Sequence, residues 1–220
     1  MTVTLDDGGV AYAAEAGDPR AVLLLGHGAS GKIDGRDLVA LAEGLPVRGI
    51  TVVRHLQPWR AAGGRMTPRP PVLDEGWASA VAWVGQRYAG LPLVVGGHSA
   101  GARCACRGSA RPDLRAQAGV VALSFPLHPP GQPEKSRLPE LLGVPGPLLV
   151  VQGERDPFGG TAELREAVPD GWFAGSRSIL TMPMAGHDLV PLKRTMPTEE
   201  AMALVVDAVA GFVDGLIPRR

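Results

Sequence analysis

The chain has 220 residues, of which 22 are basic and 22 are acidic, so its formal net charge at pH 7 is zero. This balance excludes the electrostatic footprint of a protein that binds nucleic acid or an anionic membrane surface. Hydrophobic residues make up 45% of the sequence and charged residues 20%, as in an ordinary globular protein, and the length favours a single domain over residues 1–220. The low aromatic content of 5% argues against a surface that stacks the bases of single strands.

The amino-terminal sequence MTVTLDDGGV lacks a basic segment followed by an apolar run. No stretch of the chain reaches the roughly 20 apolar residues that a bilayer span needs. We therefore expect a cytoplasmic protein without a membrane-spanning segment. The two cysteines, Cys104 and Cys106, are two positions apart in a predicted helix, where they point to different faces and cannot form a disulfide. They are most simply small buried residues.

The chain opens with a predicted β-hairpin, because two short β-like runs at residues 1–5 and 10–15 flank an Asp-Asp-Gly-Gly turn. A continuous apolar strand at 21–25 comes next, followed by a glycine-rich loop, a helix near 36–45 and a strand at 50–53. This alternation of strand, helix and strand predicts a parallel sheet that is buried on both faces.

Residues 55–71 form a predicted long loop rich in Arg, Gly and Pro, and a helix at about 74–88 follows it. Loops of this length in a compact domain often carry function. The rest of the chain predicts four more buried strands and a closing amphipathic helix, at residues 93–97, 119–124, 148–152, 178–182 and 198–213. The sequence therefore predicts one α/β domain with a mostly parallel sheet.

A Gly-x-Ser-x-Gly pattern centred on Ser99 follows the predicted strand at 93–97 and precedes a helix-compatible stretch that starts near Ala102. A nucleophile on such a sharp turn from strand to helix has a strained backbone, and Gly97 and Gly101 leave room for close packing there. The hydroxyl of Ser99 would then stand clear at the carboxyl end of the sheet. The alternative is a serine in an ordinary glycine turn.

The partners of such a serine follow it in the order Ser, acid, His. Of the five histidines only His187 lies beyond every strand that could supply the acid, in a loop after the last strand, although a surface loop histidine is the alternative. Asp156 and Glu154 both follow the preceding strand. We favour Asp156, because it sits deeper in the turn and Pro157 rigidifies the backbone after it. The short interval between Ser99 and Asp156 leaves no space for a helical lid domain.

Acyl transfer also requires hydrogen-bond donors for the oxyanion, and preorganised backbone amides supply them without rearrangement in the transition state. One donor is the amide of Ala100, the residue after the nucleophile. We expect the second from the glycine-rich loop at residues 26–31, and we choose the amide of Ala29.

Five motifs occur in a specific order along the chain: GHGAS at 26–30, GGHSAGAR at 96–103, SFPLHPPGQPEKSR at 124–137, QGERDPFG at 152–159 and AGHD at 185–188. With these motifs the chain resembles the α/β-hydrolase superfamily over nearly its whole length. More narrowly, it looks like the small, lidless, dienelactone-hydrolase-like branch that includes a testis-expressed protein and the hydrolase-like domain of an NSL chromatin-complex subunit.

The resemblance implies an α/β-hydrolase fold with helices on both faces of the sheet, antiparallel strands at the amino terminus and no lid domain. It also implies that Phe125, Leu127 and His128 line the substrate pocket beside the triad, with His27 from the early loop. Some animal relatives in this branch serve in complexes, so a protein partner is a further expectation.

For several candidate pocket residues the sequence allows both a role in substrate binding and a purely structural or solvated role. His128 is either a pocket residue or a structural histidine wedged among prolines. Arg60, Arg65 and Arg69 on the long loop could grip an anionic substrate, although charged loop residues are more often solvated.

The early glycine-rich loop also fits two phosphate-binding patterns, Gly-x-Gly-x-x-Gly and Gly-x-x-x-x-Gly-Lys. The second pattern fails, because Ile33 occupies the position of the Ser or Thr that would ligate magnesium. An NADP-binding oxidoreductase is a remote alternative, with Arg54 as the residue suited to a 2′-phosphate. The more serious alternative is a non-catalytic binding or scaffold protein on a hydrolase fold.

We therefore predict a serine hydrolase of the carboxylesterase type that cleaves a small ester, thioester or lactone, with no metal and no cofactor. Ser99 is the nucleophile, His187 the base and Asp156 the residue that orients the base. The amides of Ala29 and Ala100 form the oxyanion hole. The predicted partner is a small-molecule substrate, and neither a nucleic acid nor a membrane.

Overall fold

A computed structural model of the chain describes residues 1–114 and 116–217. The described residues contain eight strands and seven α-helices. The strands are β1 (Thr2–Thr4), β2 (Val10–Ala14), β3 (Ala21–Gly26), β4 (Ile50–Leu56), β5 (Leu93–His98), β6 (Gly119–Leu123), β7 (Leu148–Gly153) and β8 (Arg177–Met182). The helices are α1 (Arg36–Gly44), α2 (Pro58–Ala61), α3 (Pro70–Arg87), α4 (Ala100–Ser109), α5 (Leu138–Leu142), α6 (Thr161–Ala167) and α7 (Thr198–Leu216).

All eight strands form one sheet in the order β1-β2-β4-β3-β5-β6-β7-β8. Strand β2 pairs antiparallel with β1 and β4, and the pairs from β4 through β8 are parallel. The prediction of a mostly parallel sheet with antiparallel strands at the amino terminus is therefore confirmed.

The sheet is covered on both faces, as the continuous apolar runs of its central strands require. Residues of β3 alternate between two cores, because successive side chains of a strand point to opposite faces. Leu23 and Leu25 pack with residues of α1 and α7, whereas Val22 and Leu24 pack with residues of α3, α4, α5 and α6. These four side chains are fully buried, and burying each stabilises the fold by roughly 1.5–3 kcal/mol.

The predicted long loop at 55–71 is shorter in the structure than the sequence indicates. It contains the short helix α2, and α3 already begins at Pro70 instead of near residue 74. A proline is well suited to the first turn of a helix, because the amide it lacks would have no partner there. Helix α6, between β7 and β8, was not predicted.

The topology brings the carboxyl ends of β3, β5, β7 and β8 to one edge of the sheet, where ligands bind in open α/β sheets. At this edge α4 crosses very close to β3. A Cβ atom on Gly101 would lie 2.2 Å from the carbonyl oxygen of Gly26, and one on Gly97 would lie 2.4 Å from the same atom. Glycine is therefore required at both positions flanking Ser99 for this approach.

None of the helices in the part of the chain that the structure describes has both the length and the hydropathy of a membrane span. The segment between Ser99 and Asp156 holds two helices and two strands of the main domain, and no lid domain is present in the described part of the chain.

Candidate active site

Ser99 occupies the sharp turn between β5 and α4. Its backbone angles are φ 53° and ψ −109°, a conformation that non-glycine residues rarely adopt and that costs on the order of 1–3 kcal/mol. The surrounding structure stabilises this strained conformation. The Ser99 amide donates a hydrogen bond of 2.9 Å to the carbonyl of Leu123, and the turn packs on β3. Strain at this one residue raises the side chain above the sheet edge, as the sequence pattern predicts.

A chain of two hydrogen bonds joins Ser99 to Asp156 through His187. Nε2 of His187 lies 2.8 Å from Oγ of Ser99, and Nδ1 of His187 lies 2.8 Å from Oδ2 of Asp156. Because a carboxylate only accepts hydrogen bonds, Nδ1 carries the proton and the lone pair of Nε2 faces the serine hydroxyl. This is the tautomer in which the imidazole can accept the serine proton.

The carboxylate of Asp156 is held in place by further donors and is fully buried. Its Oδ1 accepts a hydrogen bond of 2.8 Å from the Phe158 amide, and its Oδ2 accepts one of 3.2 Å from the side-chain amide of Gln152. A buried carboxylate that accepts several hydrogen bonds has a fixed orientation, so it also fixes the orientation of the His187 ring. Gln152 was missed by the sequence analysis, although it begins the motif that contains Asp156.

Glu154, the alternative acid, has a different partner. Its Oε2 accepts a hydrogen bond of 2.7 Å from the amide of Met184, and its side chain is exposed. The structure therefore brings Asp156, and not Glu154, to His187.

The aromatic ring of Phe158 packs against the imidazole of His187. The two ring centroids are 4.2 Å apart, with an angle of 31° between the ring planes. This contact limits tilting of the imidazole, which the two hydrogen bonds alone would allow. Sequence analysis also missed Phe158, because only the folded turn brings residue 158 over residue 187.

The amides of Ala29 and Ala100 both lie next to Ser99, in residues that line the same cavity. Neither amide donates a hydrogen bond to another group among the described residues. The Ala100 amide is in the first turn of α4, where the helix offers it no acceptor and where negative charge is stabilised. Both amides are thus free to bind an anionic oxygen.

His27 lies beneath this loop and fixes the orientation of its peptide groups. Its Nδ1 donates to the carbonyl of Gly28 at 2.7 Å, and its Nε2 accepts from the amide of Gln57 at 3.1 Å. The Gly28 carbonyl also accepts a bond of 3.0 Å from the Gly31 amide. Because that carbonyl shares one planar peptide unit with the amide of Ala29, these bonds fix the direction of the Ala29 amide. Burial lowers the pKa of His27, which keeps the ring neutral.

A cavity of about 320 Å³ opens directly above Ser99 and His187. One part of its wall is apolar, with the residues Pro68, Pro70, Leu73, Pro126 and Phe158. Another part is formed by Arg103, Arg107 and Arg137. Volumes of this order are typical of sites for small molecules.

Residues 19–214 match the family model described as an alpha/beta hydrolase domain. The chain belongs to the α/β-hydrolase family. This match covers most of the chain, and with the sheet order above it confirms the α/β-hydrolase fold.

Solved structures of α/β hydrolases resemble the whole chain. An α/β serine hydrolase without a lid from Xanthomonas campestris is 17% identical, with 100% of this chain and 95% of that chain covered and a TM-score of 0.73. A serine hydrolase homologue from Coxiella burnetii is 15% identical, with 95% and 96% covered and a TM-score of 0.71. Est1E from Butyrivibrio proteoclasticus is 17% identical, with 98% of each chain covered and a TM-score of 0.63. A search of curated protein sequences found no match.

Four residues predicted to line the substrate pocket do not line this cavity, and the prediction is corrected. Phe125, Leu127 and His27 are buried and do not line this cavity. His128 is a structural histidine between the carbonyl of Pro129 at 2.8 Å and the carboxylate of Glu163 at 2.7 Å. Their places in the cavity wall are taken by Pro126 and Phe158. The chain alternates sides along residues 125–127, so Pro126 faces the cavity when its two neighbours face the core.

Arg60, Arg65 and Arg69, for which substrate binding was one alternative, are not among the residues of the cavity wall. The guanidinium of Arg60 donates to the carbonyl of Gly64 at 3.0 Å and packs at Gly31, while Arg65 and Arg69 are exposed. Arg54 donates to the carbonyl of Ile33 at 3.0 Å. Cys104 and Cys106 are buried as predicted, and burial raises the pKa of the Cys104 thiol to about 12, so it is unreactive.

A second pair of a histidine and a carboxylate lies next to the site at Ser99. Nδ1 of His98 lies 2.8 Å from Oδ2 of Asp37, and the rings of His98 and His187 are 5.2 Å apart in a T-shaped contact. The Asp37 carboxylate also accepts a bond of 2.9 Å from the Leu38 amide at the start of α1. Burial lowers the pKa of His98, but its hydrogen bond to Asp37 and the surrounding negative charges raise it more, so the net shift is upward.

Proposed function

We propose that this protein is a serine hydrolase that cleaves a small ester, thioester or lactone through an acyl-enzyme. The observation that carries the proposal is the hydrogen-bonded chain from Ser99 through His187 to Asp156, with both bonds of His187 at 2.8 Å. The solved structure from Xanthomonas campestris, described as a lidless serine hydrolase, supports the same chemistry on this fold.

In the first half of the reaction Oγ of Ser99 attacks the carbonyl carbon of the substrate, and Nε2 of His187 takes the serine proton. Asp156 stabilises the imidazolium that forms, because its negatively charged carboxylate accepts the hydrogen bond that Nδ1–H donates. The negative charge that develops on the carbonyl oxygen is stabilised by the amides of Ala29 and Ala100. No step in this sequence calls for a metal or a cofactor.

In the second half the bond to the leaving alcohol or thiol breaks, and His187 returns the proton to that group. The carbonyl carbon then carries the Ser99 ester. A water molecule, deprotonated by His187, attacks this ester, releases the acid and restores the serine hydroxyl. The same side chains therefore serve both halves of the cycle.

The cavity dimensions limit the proposed substrates to small molecules. A volume of about 320 Å³ lies at the lower end of the range for ligand pockets. No lid domain covers the cavity in the described residues, so we propose a water-soluble substrate with a short acyl chain. The narrower resemblance to the dienelactone-hydrolase-like branch, a cytoplasmic location and a protein partner remain predictions.

Burst kinetics with p-nitrophenyl butyrate test this proposal. An acyl-enzyme mechanism predicts saturable release of p-nitrophenol, with a rapid first turnover when deacylation is slow. Ser99→Ala should retain the fold, as judged by thermal unfolding, and lose the reaction. A folded wild-type protein with no activity toward short esters, thioesters and lactones would contradict the proposal and favour the scaffold alternative.

A further inference from the structure

The three arginines in the cavity wall differ in how their charges are balanced. Arg103 donates to Glu140 through two nitrogens, at 2.8 and 2.6 Å. Arg107 donates to Asp74 at 2.6 Å and to Glu140 at 3.0 Å. Two guanidinium groups and two carboxylates thus form one closed network with no excess charge.

Arg137 is outside this network. Its side chain donates a hydrogen bond of 3.2 Å to the carbonyl of Pro126, and within the described residues it forms no ion pair. Its backbone amide donates to the carbonyl of Leu127 at 2.7 Å, which anchors the residue beside the cavity. The guanidinium is therefore a positioned cation with unused donors.

The surroundings of Arg137 make an unpaired charge costly. Partial burial, and then the positive charge of Arg103, lower the pKa of the Arg137 guanidinium, and the negative charge of Glu140 offsets only part of this shift. No Asp or Glu is among the described residues that line the cavity. A partly buried cation without a direct ion pair is unfavourable unless an anion joins it, so the cavity wall contains one guanidinium whose charge an anionic ligand could balance.

We propose that the cavity takes half esters of dicarboxylic acids, and that Arg137 binds their free carboxylate. This inference rests on the serine-hydrolase function proposed above, since Ser99 would attack the ester carbonyl at the other end of the same acyl chain. The products are a dicarboxylic acid and an alcohol. A single negative charge matches the single excess guanidinium, and the planar fork of arginine suits a carboxylate.

Pro126 and Phe158 support this orientation of the substrate. Both side chains line the cavity that also contains Ser99 and Arg137. They offer an apolar wall for the short methylene chain that separates the two carboxyl groups of such a substrate. Specificity then comes from one charged anchor and a largely apolar wall, as is usual in small-molecule sites.

Hydrolysis of monomethyl glutarate and methyl valerate, which have acyl chains of equal length, tests the inference. Methanol release is followed by NMR for the wild type, Arg137→Gln and Arg137→Lys. We expect the ratio of kcat/KM for the two esters to fall about 10- to 100-fold in Arg137→Gln, mostly through KM, with partial rescue in Arg137→Lys. Arg194→Gln removes the same charge from an exposed residue outside the cavity and should leave the ratio unchanged. An unchanged ratio in folded Arg137→Gln would overturn the proposal.

A binding measurement separates this inference from the proposed function. Calorimetric titration of Ser99→Ala with monomethyl glutarate reports binding without turnover. Binding that is lost in Ser99→Ala/Arg137→Gln supports the anion site even if no ester is hydrolysed, in which case the hydrolase proposal alone fails. Hydrolysis of methyl valerate together with equal binding in both variants supports the hydrolase and overturns the anion site.

Discussion

Nδ1 of His27 lies 2.7 Å from the carbonyl oxygen of Gly28, and this bond orients the peptide unit that contains the Ala29 amide. His27 is buried and is not among the residues that line the cavity at Ser99. It is therefore a positioning residue, which acts on the reaction through the direction of one backbone amide.

His27→Phe should lower kcat by about 10-fold or more and change KM much less. The phenyl ring is planar like imidazole but forms neither hydrogen bond, so the Ala29 amide is no longer held toward the oxyanion. The loss of one oxyanion donor lowers kcat by roughly 10²–10³-fold. Steady-state kinetics with p-nitrophenyl butyrate measure kcat and KM, and thermal unfolding shows whether the variant is folded. A folded variant with wild-type kcat would show that His27 does not orient the donor.

Asp156→Asn should lower kcat by up to about 10⁴-fold, as in other triads, because the amide side chain permits the wrong imidazole tautomer. Glu154→Gln is the matched control, since Glu154 bonds to the Met184 amide and does not contact His187. We expect kcat of the control to stay within about twofold of wild type. A large loss in Glu154→Gln with little effect of Asp156→Asn would reverse the assignment of the acid.

The pair of His98 and Asp37 predicts a pH-dependent stability. The pKa of His98 is above its ordinary value of 6.5 in the folded protein, so folding favours the protonated ring. The stabilisation from this pair is therefore fully present below pH 6.5 and is lost as the pH rises through the raised pKa.

Asp37→Asn tests this pH dependence of stability, because the substitution removes the negative charge beside His98. Asparagine can still accept the hydrogen bond from the Leu38 amide. Urea unfolding at several pH values between about 5 and 9 gives the free energy of unfolding for both proteins. We expect the difference between wild type and variant to be largest at the acidic end. A difference that does not vary with pH would exclude a protonated His98 as its source.

Gly101→Ala should destabilise the protein by about 1–3 kcal/mol, because its Cβ would lie 2.2 Å from the carbonyl oxygen of Gly26 and backbone would have to move. Gly211→Ala is the matched control in another helix, where nothing lies within 4 Å of the added atom. The control should be stabilised by about 0.5–1 kcal/mol, as expected for alanine in an exposed helical position. Equal effects of the two substitutions in urea unfolding would contradict the close approach of α4 and β3.

The central strands β3 to β7 could be predicted from the sequence because each contains a continuous apolar run that is bounded by turn residues. Because these strands are parallel, their carboxyl ends lie at the same edge of the sheet. The sequence therefore predicts that Ser99, Asp156 and His187 lie together at that edge. The choice between Asp156 and Glu154 also followed from local turn chemistry, and the structure places Asp156 beside His187.

The cavity wall could not be predicted in the same way, because it depends on contacts between distant segments. Ser124 follows β6 in a left-handed backbone conformation with a φ of 47°, which no pattern in the sequence indicates. The directions in which the side chains of Phe125, Pro126 and Leu127 point depend on that conformation. The free guanidinium of Arg137 likewise becomes visible only once Glu140 is seen to bind Arg103 and Arg107.

Reaction with a fluorophosphonate, followed by intact-protein mass spectrometry, tests the central claim most directly. Wild type and Ser30→Ala should each gain one adduct mass, since Ser30 lines the cavity without contact to His187. Ser99→Ala should gain none, because the hydroxyl that lies 2.8 Å from Nε2 of His187 is then absent. Labelling that persists in Ser99→Ala, or a folded wild type that is never labelled, would contradict an activated Ser99.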